Sequence, residues 1–294
     1  MIRFSKYIFL YFLLSSFVLV PGIIALLRWG LRPSIDFTGG TLMELRFDKA
    51  IDAKKIIDVA AATSLTLSSV APSGDKTYLI RLKPTADERL KFFETQLASS
   101  SASSPQIIRQ ETVGPTLGAE LLVKAVVAAF VAIGAILLYI AYAFKNIRFG
   151  VAAIVALIHD LLVVLGSFSL LGHFYGVEVD TLFVTAFLTT MSFSVHDTIV
   201  VFDRIREYSK RAERVSFDAL CDQALTETMG RSLTNSLTLI LMLLALVLMG
   251  GETIRWFIVA LLVGTTSGAY SSPFIATPIL ILWDRFEKRK RKTI

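Results

Sequence analysis

The sequence predicts a polytopic α-helical membrane protein: six transmembrane helices, with a ferredoxin-like (βαββαβ) α+β external domain between helices 1 and 2. Three observations predict it. Of 294 residues, 54% are hydrophobic and only 18% charged, with a mean hydropathy of +0.64, outside the usual range of a soluble globular chain. Six apolar runs are long enough to cross a bilayer. Between the first and second runs the pattern changes to the periods of two and 3.6 that mark strands and amphipathic helices.

The first run, residues 8–27, follows Arg3 and Lys6. It has the basic start and apolar stretch of a signal peptide, but no A-x-A-like site follows. Residues 1–27 therefore read as an uncleaved signal anchor with a cytoplasmic N-terminus. Residues 28–120 then form the extracytoplasmic domain, periplasmic in a two-membrane cell. Residues 41–47 alternate as a strand, and 53–62 show helical spacing through Ile56, Ile57 and Ala60. Strands 66–71 and 77–82 flank Pro72, Ser73, Gly74 and Asp75, which read as a hairpin turn. Residues 85–97 read as a second amphipathic helix, opened by a capping box of Thr85 and Glu88. A low-complexity loop over 99–105 leads to a last strand, 106–113. That order is the split βαβ arrangement, which says little about function by itself.

The remaining spans are 121–144, 149–171, 181–202, 233–249 and 256–283, the fifth being adequate only if it starts near Arg231. Residues 121–283 thus form a five-helix region with a cytoplasmic loop at 203–230, and 284–294 form a basic cytoplasmic tail. The net charge of +6 does not argue for nucleic acid, because the basic residues fall where topology places them. Arg3, Lys6, Lys145, Arg148, Arg204, Arg206, Lys210, Arg211, Arg214, Arg285 and the run 288–292 lie on one side, whereas the short loops 172–180 and 250–255 hold one basic residue between them. Both termini are expected in the cytoplasm, and membrane lipid is an expected partner. One cysteine, Cys221, rules out a disulfide framework or Cys-type metal site within the chain. There is no metal-ligand spacing, P-loop, dinucleotide fingerprint or nucleophile elbow, so no metal, cofactor or catalytic triad is expected.

Chemistry points first to Asp197. A carboxylate inside an apolar span costs a few kcal/mol unless protonated, paired or hydrated, and so reads as a proton or ion site. Thr190, Ser194, Asp197 and Arg204 share one helix face, and Asp197 lies about 24 Å from the outer end of its span. On the fifth span Arg231, Thr234, Asn235 and Thr238 share a face. Arg231 enters from the same side as Asp197 and is a candidate gate: its approach favours the ionised carboxylate, and burial favours the neutral acid. Asp160, beside His159 and near mid-membrane, reads either as a second relay group or as a packing residue that bonds neighbouring helices. His196 is suited to shuttling protons, but it points about 100° away from Asp197 around the helix. Gly264 and Gly268 form a small-xxx-small pair with Pro273 beyond, favouring close packing with some freedom to bend. Asp36, Phe37, Gly39, Gly40, Gly114 and Pro115 sit where the external domain joins the helices, and read as hinges or as ordinary turn residues. One long external segment after the first helix suggests half of a larger transporter.

The motifs resemble the SecF branch of the SecD/SecF family, within the resistance-nodulation-division superfamily. Ser34-Ile-Asp36-Phe37-Thr-Gly39-Gly40-Thr41 resembles the signature after the first helix, and Glu111-Thr-Val113-Gly114-Pro115-Thr-Leu-Gly118 the one before the second. The stretch from Ser194 through Asp197, Thr198, Phe202, Asp203, Arg204 and Arg206 to Glu207 resembles the fourth-helix motif. Thr226 to Ser232 and Gly268 to Pro273 resemble the fifth and sixth. The resemblance implies a bacterial inner-membrane subunit forming half of a pseudo-symmetric unit with SecD, associated with the SecYEG channel and with YajC. It implies no enzyme, but a proton-motive-force-driven accessory motor that assists late, ATP-independent translocation of an unfolded polypeptide. Asp197 would be the proton-transfer carboxylate and Arg231 its basic neighbour. His196 departs from the Asn usual in the family. Two other readings stand beside this one: a proton-driven half-transporter for small molecules or metals, and a non-catalytic translocon scaffold. The efflux reading lacks substrate-binding surface, since the external domain is small and holds one Met, Met43.

Overall fold

The computed structural model describes residues 3–49, 51–74, 76–101, 105–143, 146–211 and 215–292. Asp75, Lys145 and Arg214, used in the reading above, lie outside the described residues, as do 102–104 of the low-complexity segment. The chain divides into two compact units, Met1–Arg32 with Ala129–Ile294, and Pro33–Ala128.

In the smaller unit a short helix α2 (Ile35–Thr38) leads into β1 (Gly40–Arg46), α3 (Ala53–Ala62), β2 (Leu67–Gly74), β3 (Thr77–Leu82), α4 (Asp87–Ser101) and β4 (Gln106–Val113). The sheet order is β2-β3-β1-β4, antiparallel throughout, as the split βαβ connection requires. Alternation along β1 places Met43 and Leu45, with Phe47 just past its end, on the helix-covered face, where they meet Ile56 and Ala60 of α3 and Leu90, Phe93 and Leu97 of α4. The expected capping box is not formed. Thr85 donates its hydroxyl back to the Lys83 carbonyl (2.8 Å), and α4 begins at Asp87, whose carboxylate and that of Glu88 suit the positive end of the helix. The helix also runs on to Ser101, into what the low-complexity composition suggested was loop.

Helix α1 (Ile8–Trp29) precedes this unit, and α5 (Pro115–Ala143) leaves it. Then follow α6 (Ile147–Tyr175), α7 (Thr181–Arg211), α8 (Phe217–Met249), α9 (Glu252–Ser271), a π turn (Ser272–Ala276) and α10 (Thr277–Lys292). With α9 to α10 counted as one interrupted helix, six helices among the described residues are long and apolar enough to span. The segment 203–230 is not an open loop. Helices α7 and α8 both continue into it, held by ion pairs from Arg204 to Glu207 on α7 and to Glu227 on α8, and by the Ser216 cap on Ala219 N–H. The basic tail is likewise helical: Arg148 of α6 pairs with Glu287 (2.6 Å), and Arg285 with Asp218 of α8 (2.7 Å).

Helices α6, α7 and α9 form the buried centre of the larger unit, with a core rich in alanine and phenylalanine, including Ala152, Ala156, Phe168, Ala186, Phe202 and Ala260. Small residues permit the close crossings. A Cβ built on Gly264 would fall 2.3 Å from Thr190 Cγ2 on α7, one on Gly268 3.1 Å from Ser194 Cα, and one on Gly166 of α6 2.6 Å from Gly22 Cα on α1. By contrast, the apolar window of α5 has no buried residue, and α8 presents Leu233, Leu237, Leu241, Leu244 and Leu248 outward.

Candidate functional site

Asp160 and Asp197, on neighbouring spans, lie in opposite surroundings. Asp160 on α6 is buried and accepts four hydrogen bonds. Oδ1 receives Ser267 Oγ (2.6 Å) and His159 Nδ1 (2.9 Å), while Oδ2 receives Ser194 Oγ (2.5 Å) and Ser271 Oγ (2.6 Å). His159 Nε2 continues the chain to Ser15 Oγ on α1 at 2.7 Å. An ionised carboxylate is acceptor-only with about four lone-pair positions, and here all four are used. The cluster therefore ties α1, α6, α7 and α9 together.

Asp197, one turn along α7 from Ser194, is only partly buried. Its single described hydrogen bond comes from Ser236 Oγ of α8, at a long 3.4 Å. It lines two small cavities between α7, α8 and α9, one with Thr228, Ser232, Ser236 and Ser272, the other with His196, Asn235, Ser236 and Thr265. Beside it, Thr198 Oγ1 meets Ser272 Oγ at 2.9 Å, where the π turn, containing Pro273, interrupts the last helix. The carboxylate has unused acceptor capacity and small polar neighbours on three helices. That arrangement can take up and give back a proton without dismantling the packing that Asp160 provides.

Arg231 is placed elsewhere than the shared-face argument suggested. It is exposed and lines a third cavity with Asp203, Arg204, Glu207, Glu227 and Thr228. Among the described residues, no hydrogen bond or ion pair joins it to Asp197. The polar α8 residues that line the two cavities with Asp197 are Thr228, Ser232, Asn235 and Ser236, of which the face expected from spacing includes Asn235. Thr228 borders both the Arg231 cavity and the Asp197 cavity. His196 is exposed and shares the second cavity with Asp197.

In the smaller unit the glycine pair is tightly seated. Ser34 caps α2 on Asp36 N–H (3.2 Å), and Phe37 is buried. Gly39 has φ of +72° and Gly40 +143°, conformations that favour glycine. A Cβ on Gly39 would lie 2.8 Å from Pro115 Cα, one on Gly40 2.5 Å from Leu82 O, and one on Gly118 2.8 Å from Gly39 N. Pro115 opens α5 as its first residue, following Gly114. Backbone meets backbone here.

The model of the family described as "Protein export membrane protein SecD/SecF, C-terminal" matches residues 93–286, and that of the "SecD/SecF GG Motif" matches residues 29–51. The chain belongs to the SecD/SecF family. Protein translocase subunit SecF of Thermobaculum terrenum is 39% identical, covering 97% of this chain and 94% of that protein. Its counterpart in Anaerolinea thermophila is 38% identical, covering 96% and 94%. The crystal structure of SecDF, a translocon-associated membrane protein from Thermus thermophilus, superposes with a TM-score of 0.86 at 31% identity. It covers 97% of this chain, and this chain spans 39% of that one.

Several side chains that bond to Asp160 and Asp197 do not stand out by spacing in the sequence. Ser15, Ser267 and Ser271 complete the Asp160 cluster, and Ser236 is the described donor to Asp197. At the other end of the bundle, Ser5 gives both its N–H and its hydroxyl to the buried Asp222, at 2.8 Å each. Within the spans, a serine in an otherwise apolar run is the sequence signal of such a partner.

Proposed function

We propose that this chain is the SecF-type subunit of the Sec protein-export machinery, coupling proton movement through Asp197 to late, ATP-independent translocation. Its partners are SecD, the SecYEG channel, YajC and the unfolded polypeptide in transit. The observation that carries the proton assignment is the contrast between the two carboxylates: Asp160 is saturated by four donors, whereas Asp197 faces cavities with one long bond. Arg231, with Asp203 and Glu227, forms the charged vestibule on the α7–α8 side of Thr228 rather than a fixed partner of Asp197. The exposed apolar window of α5 and the leucine face of α8 suit a second helical subunit, consistent with the SecDF chain being longer than this one.

We place the protein in the bacterial inner membrane with both termini cytoplasmic. Arg148, Arg285 and Ser5 gather at one end of the bundle through the Arg148–Glu287 and Arg285–Asp218 pairs and the Arg285 bond to Ser5 O, which is the charge asymmetry that orients helices. Trp29 stacks on His173 beside Phe174 at the other end, as interfacial aromatics do. A proton falling through the membrane potential releases about 2.3 kcal/mol per 100 mV. That is enough to bias a two-state unit substantially.

The test is export into or out of vesicles holding the complete complex, with and without a proton gradient. Asp197→Asn should abolish the gradient-dependent part and leave the ATP-dependent part. If gradient-dependent export survives, Asp197 serves packing alone and the scaffold reading replaces this one.

A further inference from the structure

The N-terminal segment and α10 meet at one end of the bundle, above an uncovered apolar ridge. Phe4–Lys6 form a single 3-10 turn before α1, closed by Lys6 N–H on Arg3 O. Phe4 is buried, with its ring centroid 6.3 Å from that of Phe274, so the turn is seated on the bundle. Ser5 is held from two sides. Its N–H and hydroxyl go to Asp222 of α8, and its carbonyl accepts from Arg285 Nη2 of α10 at 3.5 Å. Arg285 is itself fixed by Asp218 at 2.7 Å. These bonds gather Arg3, Lys6 and Arg285 around Ser5.

The three cations retain free donors. Among the described residues neither Arg3 nor Lys6 has an ion-pair partner; both are exposed, and Lys6 Nζ lies 5.5 Å from the Tyr7 ring centroid. Arg285 spends Nε and Nη2 on Asp218 and Ser5, and its Nη1 has no acceptor among the described residues. The nearby carboxylates are engaged: Asp222 by Ser5, Asp218 by Arg285, Asp284 by Lys288 and Glu287 by Arg148. Along α1 a ridge at four-residue spacing follows, Phe9, Leu13 and Phe17, which are 80%, 56% and 79% exposed. No described part of this chain covers it. Tyr7, two residues after Ser5, and Trp283, two before Arg285, are the aromatic types that settle at headgroup level.

We propose that this corner binds one anionic glycerophospholipid, its phosphate held by Arg3, Lys6 and Arg285 Nη1 and an acyl chain lying along Phe9, Leu13 and Phe17. Basic pockets at helix ends select anionic headgroups in this way. A zwitterionic lipid has the same tails and a phosphate, but brings an ammonium to a corner that already holds three cations. Ser5 and Asp222 touch no lipid; they are positioning residues that set the cations in place. The basic run 288–292 lies further along the chain and attracts any anionic surface by charge alone.

The experiment is native mass spectrometry of the full chain released from vesicles of equal phosphatidylglycerol and phosphatidylcholine content, reading the ratio of the two one-lipid adducts. Wild type should favour phosphatidylglycerol about tenfold. Arg3→Gln with Lys6→Gln should reduce the ratio to about twofold, whereas Lys288→Gln with Lys290→Gln, which removes the same charge from the tail, should stay within about twofold of wild type. Arg3→Lys with Lys6→Arg should keep the preference. Lys6→Gln alone reads the same loss at about half its logarithmic size should the double variant insert poorly. Equal losses in the two glutamine pairs make the preference a property of surface charge and overturn the site, as does a wild type with no preference. A preference that vanishes when the chain is released in complex with a SecD-type partner also overturns it, because the ridge then belongs to that partner.

Discussion

Replacing Asp160 by alanine removes the acceptor for four donors in one step. Ser194 comes from α7, Ser267 and Ser271 from α9, and His159 from the same helix as Asp160 itself. Only the three serine bonds join helices. Interhelical hydrogen bonds in membranes average about 0.6 kcal/mol and reach about 1.7, so their loss costs about 2 kcal/mol on the mean value and about 5 at the upper end. The three serine bonds are short, at 2.5–2.6 Å, which favours the upper half of that range. Asp160→Asn keeps one accepting oxygen and adds an amide that a serine oxygen can accept, so its cost should be about half. Thermal unfolding of the purified chain in detergent should rank wild type above Asp160→Asn and Asp160→Asn above Asp160→Ala. An alanine variant that melts with wild type refutes the reasoning. An asparagine variant as unstable as the alanine one would show that charge, not the number of bonds, holds the helices.

Other consequences follow from the same geometry. Gly264→Val should destabilise the bundle by about 1–3 kcal/mol through overlap with Thr190; a Thr190→Ala change added to it should recover much of the loss, measured by the same melt. Gly40→Ala places a Cβ 2.5 Å from the Leu82 carbonyl at φ +143° and should cost about 1–3 kcal/mol, visible as increased proteolysis within the smaller unit. Equal protease resistance would contradict that. Burial pushes the Glu94 carboxyl above its ordinary value. Its folded form thus holds the proton more tightly than the unfolded chain does, and this contribution is present at low pH and lost as pH rises through the raised folded value. Glu94→Gln should therefore flatten the fall in stability above about pH 4, and pH-dependent melts of the two proteins check it.

Much of this architecture was legible from pattern alone, and the reasons differ by element. Hydropathy located the six spans because a bilayer demands long apolar runs whatever they pack against. The external strands and helices were legible because residues such as Met43, Leu45 and Phe47 alternate onto one face, and Ile56 and Ala60 recur at helical spacing. The ends of α7 and α8 were not, since residues 203–230 are polar and their helicity rests on cross-links such as Arg204 to Glu227 between two helices. Asp197 was visible because a carboxylate in an apolar run is costly. Its surroundings were hidden because they depend on how α8 turns relative to α7: a rotation of one residue puts Ser236, not Arg231, opposite the carboxylate. Ser194 seemed to belong with Asp197 by spacing, yet its hydroxyl serves Asp160 on another helix.

The central claim is that Asp197 exchanges the proton while Asp160 remains a fixed hydrogen-bond acceptor. Infrared difference spectroscopy of the complex between neutral and acidic pH tests it directly, because a newly protonated carboxyl has its own C=O band. The account predicts that this band disappears in Asp197→Asn and persists in Asp160→Asn; a band that persists in the first variant and vanishes in the second would contradict it.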